Sequence, residues 1–167
     1  MSLEKYIITN KWNIWFHRVD DRNWLIDSYN NIATIKCLEE YKYYYDNIKT
    51  FTSGMFFIMK NNIPPLWEDP NNINGGIITY KITKKNADFI WRELTMALIG
   101  NTLMNTLEEH KYINGISISP KINNCIIKIW INTSKNSFMT KLKFNEHIGL
   151  FNSNLQPIYK TFNNTSY

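Results

Sequence analysis

Apolar positions along the chain change their spacing several times, and each change marks an element. Residues 12–16 (Trp-Asn-Ile-Trp-Phe) alternate as a strand, and Val19 to Asn23 form a polar loop. Trp24 to Ile35 reads as a second strand. Leu38, Tyr41, Tyr45 and Ile48 then recur on one side, which predicts a helix over about 36–47. Met55 to Met59 is a short apolar strand, closed by Asn61 and Asn62. The stretch Pro64-Pro65-Leu66-Trp67-Glu68-Asp69-Pro70 cannot continue a helix or a central strand, because its prolines remove donors and fix φ. It is expected to be a loop that carries Trp67 and Glu68 outward. Gly75-Gly76 turns into a strand over 77–83, and a second helix follows over about 87–100, with Asn86 as N-cap and Gly100 as C-cap. Residues 114–119 and 125–131 pair as a hairpin; a third helix is expected over 135–147 and a last strand near 158–162. The helices are too few to alternate with every strand. An α+β fold with one antiparallel sheet and helices on one face fits this order.

Length and composition narrow the class without naming a function. A chain of 167 residues with 44% hydrophobic and 20% charged residues reads as one globular domain, spanning 1–167. No apolar run approaches the roughly 20 residues that cross a bilayer, and the first residues lack a basic-then-apolar leader pattern. The expected site of action is the cytoplasm, away from membranes. Cys37 and Cys125 form no disulfide framework, and no Cys/His grouping has the spacing of a metal site, so no metal or cofactor is expected. A net charge of +5 permits an anionic partner but does not specify one.

The aromatic content is more informative: six Trp, ten Tyr and nine Phe. Core packing accounts for many of them. It accounts poorly for a tryptophan in a proline-bounded loop beside a carboxylate. A Trp face stacks on any base, and a cationic base adds a cation–π attraction. A carboxylate accepts from two adjacent N–H groups, the pair that the guanine edge presents, and also balances the charge that methylation at N7 creates. Two tryptophans and a carboxylate would together detect methylated guanine. By themselves the residues leave both readings of Trp24 and Trp67 open, core packing and exposed platform.

The chain resembles the eukaryotic translation initiation factor 4E family over roughly residues 10–150. The resemblance lies in Lys11-Trp12-Asn13-Ile14-Trp15-Phe16, Asn23-Trp24, Ile63-Pro64-Pro65-Leu66-Trp67-Glu68-Asp69, Asn74-Gly75-Gly76, Trp91-Arg92-Glu93-Leu94 with Leu98-Ile99-Gly100, and Ile129-Trp130. It implies a curved antiparallel sheet with three helices on its convex face and a concave pocket for the 7-methylguanosine cap of mRNA. Trp24 and Trp67 would sandwich the base, Glu68 would hold N1 and N2, and Trp130 would pack against the N7 methyl. Trp12, Trp15 and Trp91 match core tryptophans.

Departures from the family are equally specific. Ile77 stands where the family places an arginine after its Gly-Gly pair, and Ile126 where it places a lysine. Lys121 matches a phosphate-binding arginine. Period-two alternation puts Lys128 on the Trp130 face, so it is a candidate replacement, with Lys160 a further one. On the convex back, family members dock Tyr-x-x-x-x-Leu helices. The corresponding surface here is Leu38, Lys42, Arg92, Met96 and Ile99, with charges at two positions that are apolar in the family. Ordinary scaffold peptides should therefore dock poorly, and a dedicated partner with an acidic motif would suit a monomeric protein of this kind. Translation initiation, cap-bound repression and general single-stranded RNA binding are the functions in competition. No Ser/His/Asp or Cys/His arrangement supports an enzyme.

Overall fold

The computed structural model describes residues 6–47, 54–133, 143–151 and 153–164. Its strands are β1 (Ile7–Arg18), β2 (Asn30–Cys37), β3 (Gly54–Lys60), β4 (Gly76–Thr83), β5 (Ile113–Pro120), β6 (Asn124–Ile131) and β7 (Ile158–Thr161). They form one antiparallel sheet in the order β2-β1-β3-β5-β6-β4-β7. Three helices accompany it: α1 (Leu38–Asn47), α2 (Lys84–Ile99) and the single turn α3 (Leu107–His110). The fold is α+β, a curved sheet with its helices on the convex side.

Two-residue periodicity sorts the strand side chains into two clusters on opposite faces. Ile14, Ile58, Ile116, Ile127, Ile129 and Ile131 enter the main core under the helices. Met55, Phe57, Met59, Ile77 and Trp130 enter a smaller cluster on the open face. On α2, Ile90, Trp91, Leu94 and Leu98 recur at helical spacing and are buried against the sheet. Trp12 and Trp91 are fully buried, each contributing about 2–3 kcal/mol of apolar transfer energy. Trp15 is only partly buried and packs on the open-face cluster, so the expectation of a core role for all three is met by two.

Several boundaries differ from the sequence reading. Trp24 lies in the loop before a 3₁₀ turn (Ile26–Ser28), and the second strand starts only at Asn30. The cause is local: Asn23 and Asp21 side chains bond to the backbone N–H groups of Leu25 and Asn23 at 2.9 and 2.8 Å and curl the segment. α2 starts at Lys84, with Thr83 at the N-cap and no side-chain cap bond, because β4 runs straight into it. Asn86 is therefore inside the helix. Gly100 is its C-cap, as expected. Of the third helix expected over 135–147, residues 135–142 lie outside the described residues. Residues 143–147 are not helical; Phe144 bridges to Met104 instead. α3, at four residues, is too short to leave a period in the sequence.

Candidate functional site

The register of the sheet sets side chains in rows across the open face. Trp15, Phe57, Ser117, Lys128 and Thr79 stand opposite one another in one row. Met59, Gly115, Trp130, Ile77 and Lys160 form the next. Gly115 is required there, since a Cβ would overlap the Ile58 carbonyl oxygen and the Met59 sulfur. Trp130 is 6% exposed, and its Nε1 donates to Ser117 Oγ at 3.1 Å, which anchors the indole to β5.

Two loops rise over these rows. The loop carrying Trp67 and Glu68 is held by the buried Asn72, whose Nδ2 donates to the Pro64 and Leu66 carbonyls at 3.1 and 2.7 Å. Asn114, on β5, donates in turn to Asn72 Oδ1 and to the Asn71 carbonyl, each at 2.9 Å. Gly75 closes the loop against β6, where a Cβ would run into the Ile131 carbonyl. Proline bends this loop outward and two asparagines tie it down.

The second loop presents Trp24. Its ring stacks on the His17 imidazole, with centroids 4.5 Å apart and planes 4° from parallel. His17 is fully buried, and its Nε2 lies 2.7 Å from the Asn23 carbonyl oxygen. A carbonyl only accepts, so Nε2 carries the hydrogen. Tyr29 also packs on His17, with ring centroids 4.6 Å apart and planes tilted by 52°. Trp24 stays 51% exposed, so one indole face is covered and the other is open.

Between the loops lies a cleft of about 200 Å³ whose lining includes Trp24, Tyr29, Trp67, Lys121, Lys128 and Trp130. Larger hollows exist elsewhere, among them one beside α1, one beside α2 and one lined by Tyr80, Lys143, Phe144 and Phe151, but none of these three contains a tryptophan. Glu68, next to the lining residue Trp67, is exposed and makes no hydrogen bond or ion pair with the described residues. Its charge reaches Tyr29: burial first, and Glu68 second, push that phenol up to about 12. Lys128 is held below the ordinary lysine range, by burial first and then by Lys121 and Lys160. Lys160 does not line the cleft, but stands close enough to act on it. Lys121 and Lys128 line the cleft, and the charges of Lys160 and Glu68 are felt by Lys128 and Tyr29 in its lining. Sequence reasoning missed His17 and Tyr29. Alternation from Trp15 would have put His17 on the open face, but nothing along the chain places Tyr29 beside it.

The back surface differs from expectation. Ile99 is 2% exposed, in the core with Leu103 and Met104, so it cannot form part of a docking surface. Leu38 and Met96 are exposed. The two charges are paired within the chain: Lys42 with Asp46 at 2.6 Å, and Arg92 with Asp88 at 3.1 Å. Arg92 also donates to the Tyr45 carbonyl at 2.7 Å.

Among the described residues no group of three His, Cys, Asp or Glu side chains could hold a metal ion, and no helix is long and apolar enough to cross a membrane. Both cysteines are buried and unpaired.

A seven-stranded antiparallel sheet backed by helices carries an aromatic, lysine-lined cleft on its open face. The chain belongs to the eukaryotic initiation factor 4E family, whose model matches residues 7–166. An initiation factor 4E homolog of Acanthamoeba polyphaga mimivirus is 33% identical over 90 residues, 54% of this chain and 31% of that protein. The human initiation factor 4E type 1B is 25% identical over 145 residues, 81% of this chain and 58% of that protein. The chain thus spans about a third of the length of the first of these relatives and under two thirds of the second. Among solved structures, C. elegans eIF4E-3 in complex with the 4E-binding protein Mextli superposes with a TM-score of 0.80 at 19% identity, covering 97% of this chain and 96% of that one. Ascaris suum eIF4E-3 with m7G cap gives a TM-score of 0.72 at 20% identity, covering 93% and 97%. These likenesses establish the fold.

Proposed function

We propose that the protein binds the 7-methylguanosine cap of mRNA and acts in cytoplasmic translation initiation. The observation that carries this reading is the cleft itself, which gathers Trp24, Trp67, Trp130, Lys121 and Lys128 from segments far apart in the chain. Trp24 and Trp67 stack on the two faces of the base, worth about 1–3 kcal/mol per platform, and the positive charge of the methylated base adds about 2 kcal/mol in a dry site. Glu68, which has no hydrogen-bond or ion-pair partner among the described residues, accepts from N1–H and N2–H and balances the charge. Trp130 faces the N7 methyl. The phosphates lie toward Lys121, Lys128 and Lys160, where an anion relieves the mutual repulsion that disfavours the charged form of Lys128. Family membership and the cap-bound relative support the same assignment.

Retention on immobilised 7-methyl-GTP tests the proposal. The protein should be retained, and free cap analogue should elute it where GTP does not. Elution by both nucleotides alike would favour a general RNA binder.

The back surface supports a second reading of the protein's role. Charges at Lys42 and Arg92, each satisfied internally, leave little dry strip for a Tyr-x-x-x-x-Leu helix. A cap binder with such a back occupies caps without the usual scaffold, as a repressor or decoy, or uses a dedicated partner whose acidic groups displace Asp46 and Asp88.

A further inference from the structure

Strands β5, β6, β4 and β7 are consecutive in the sheet, and they contain no aspartate and no glutamate. Their charged side chains are all lysines: Lys128 on β6, Lys81 on β4 and Lys160 on β7, with Lys121 in the turn between β5 and β6. We propose that this half of the open face holds the first nucleotides of the RNA that follows the cap, with Lys81 on a backbone phosphate and Ile126 and Ile158 beneath the nucleosides. This inference rests on the cap-binding reading above.

The register of the sheet carries this surface straight out of the cleft. Along β6 the open-face positions are Trp130, Lys128 and Ile126, in that order away from the base. Ile126 stands opposite Ser119 on β5 and Lys81 on β4. Ser119 lines the cleft, so this row begins inside it and leaves it through Ile126 to Lys81. In the preceding row Thr79 stands between Lys128 and Ile158. A cap whose base lies at Trp130 and whose phosphates lie at Lys121 and Lys128 delivers its next nucleoside onto these two rows. Lys81 is one strand across and two residues along from Lys128, a Cα separation of about 8 Å by strand geometry. Extended lysine side chains bridge that distance, so the two ammonium groups can serve successive phosphates of one strand.

Charge and exposure fit a polyanion with apolar faces. Among the described residues Lys81, Lys121, Lys128 and Lys160 make no ion pair, in contrast to Lys42 and Lys111 on the helices. The charges that act on Lys128 are those of Lys121 and Lys160, both positive. Lys81 and Ile158 are exposed and Ile126 is half-buried, so each can be touched from the open face. Ser117, Ser119 and Thr79 lie between them and add hydroxyl groups for phosphate or ribose oxygens. Phosphate contacts position a strand without reading its sequence, and an isoleucine accepts any base, so the added grip is expected for any RNA sequence.

The test is a set of fluorescence titrations over a series of salt concentrations, for wild type, Lys81→Ala and Lys81→Glu. The ligands are 7-methyl-GTP, a short unstructured oligonucleotide carrying the cap, and the same oligonucleotide without it. Wild type should bind the capped oligonucleotide more tightly than 7-methyl-GTP, with an affinity that falls more steeply with salt. Lys81→Ala should leave 7-methyl-GTP binding unchanged and weaken the capped oligonucleotide about two- to fivefold at low salt. It should also flatten the logarithmic salt slope for that ligand by about 0.7, the loss of one single-strand phosphate contact. Lys81→Glu should weaken it further. If wild type binds 7-methyl-GTP and the capped oligonucleotide with equal affinity and slope, as a face kept for an acidic protein segment would, the inference is overturned and cap binding stands. The same holds if Lys81→Ala penalises both ligands alike. If wild type fails to bind 7-methyl-GTP and does not distinguish the capped from the uncapped oligonucleotide, the cap-binding reading has failed and the inference falls with it.

Discussion

The Arg92 guanidinium lies 4.4 Å from the centre of the Tyr45 ring and donates to the Tyr45 carbonyl at 2.7 Å. One side chain of α2 thus donates to a carbonyl near the C-terminal end of α1 and stacks on its last aromatic. Replacing Arg92 with Ala should cost about 1–3 kcal/mol of stability, because a charged hydrogen bond and a cation–π attraction disappear together. Lys42→Ala breaks only an exposed i,i+4 pair and should cost under about 0.5 kcal/mol. Denaturant unfolding of both variants checks the contrast.

The same two residues carry a prediction about peptide docking. A Lys42→Trp, Arg92→Leu double mutant should bind a Tyr-x-x-x-x-Leu peptide at least about tenfold more tightly than wild type, about 1.4 kcal/mol. Isothermal titration decides it. Tight binding by wild type, unchanged in the double mutant, would mean that the two charges do not guard this surface.

Asn72 is 1% exposed and its side chain ties two carbonyls of the Trp67 loop to β5 through Asn114. Asn72→Leu removes those bonds and leaves buried acceptors, at a cost of about 2–3 kcal/mol. It should also weaken cap-analogue binding although the residue touches no ligand. Melting temperature and affinity should fall together. A loss of stability with unchanged affinity would separate the loop from the site.

In the cleft, Lys121→Ala and Lys128→Met should each weaken 7-methyl-GTP binding by about 1.5–3 kcal/mol while leaving 7-methylguanosine nearly unaffected. Affinity for the triphosphate should also fall with salt. An equal penalty on both ligands would mean that the lysines act through structure.

His110 gives a pH dependence that is independent of the cleft. Burial, and then the Lys60 charge, push it down to about 4. The folded state therefore takes up a proton less readily than the unfolded one, whose histidine has a value near 6.5. The associated stability is fully present above about pH 6.5 and is lost as pH falls toward about 4, at most about 3 kcal/mol. The difference between wild type and His110→Gln in urea midpoints across this range should show that slope, with wild type losing more on acidification.

Local rules carried the sequence reading as far as they reach. Prolines alone lifted Trp67 and Glu68 out of the sheet, and alternation alone put Lys128 beside Trp130; both lysine and tryptophan line the cleft. The hairpin of β5 and β6 and the body of α2 were equally legible. What failed depended on partners distant in sequence or on short polar bonds. Trp24 looked like strand because its aromatic and β-branched neighbours have strand propensity, yet the Asn23 and Asp21 side chains curl it into a loop. Ile99 falls beside Met96 on the expected partner surface, yet it is buried in the same core cluster as Leu103 and Met104. The His17–Trp24 stack joins a strand to a loop, and no period in a single chain encodes that.

The central claim is that Trp24, Trp67 and Glu68 act together on a methylated, positively charged base. Its most direct test is tryptophan fluorescence during parallel titrations of wild type and Glu68→Gln with 7-methyl-GTP and GTP. Wild type should be quenched strongly by 7-methyl-GTP and far less by GTP. Glu68→Gln should lose at least about 1.5–3 kcal/mol of the 7-methyl-GTP affinity, the worth of a charge-assisted pair. Superimposable curves for the two nucleotides in wild type, or a Glu68→Gln protein that still prefers the methylated one undiminished, would contradict the account.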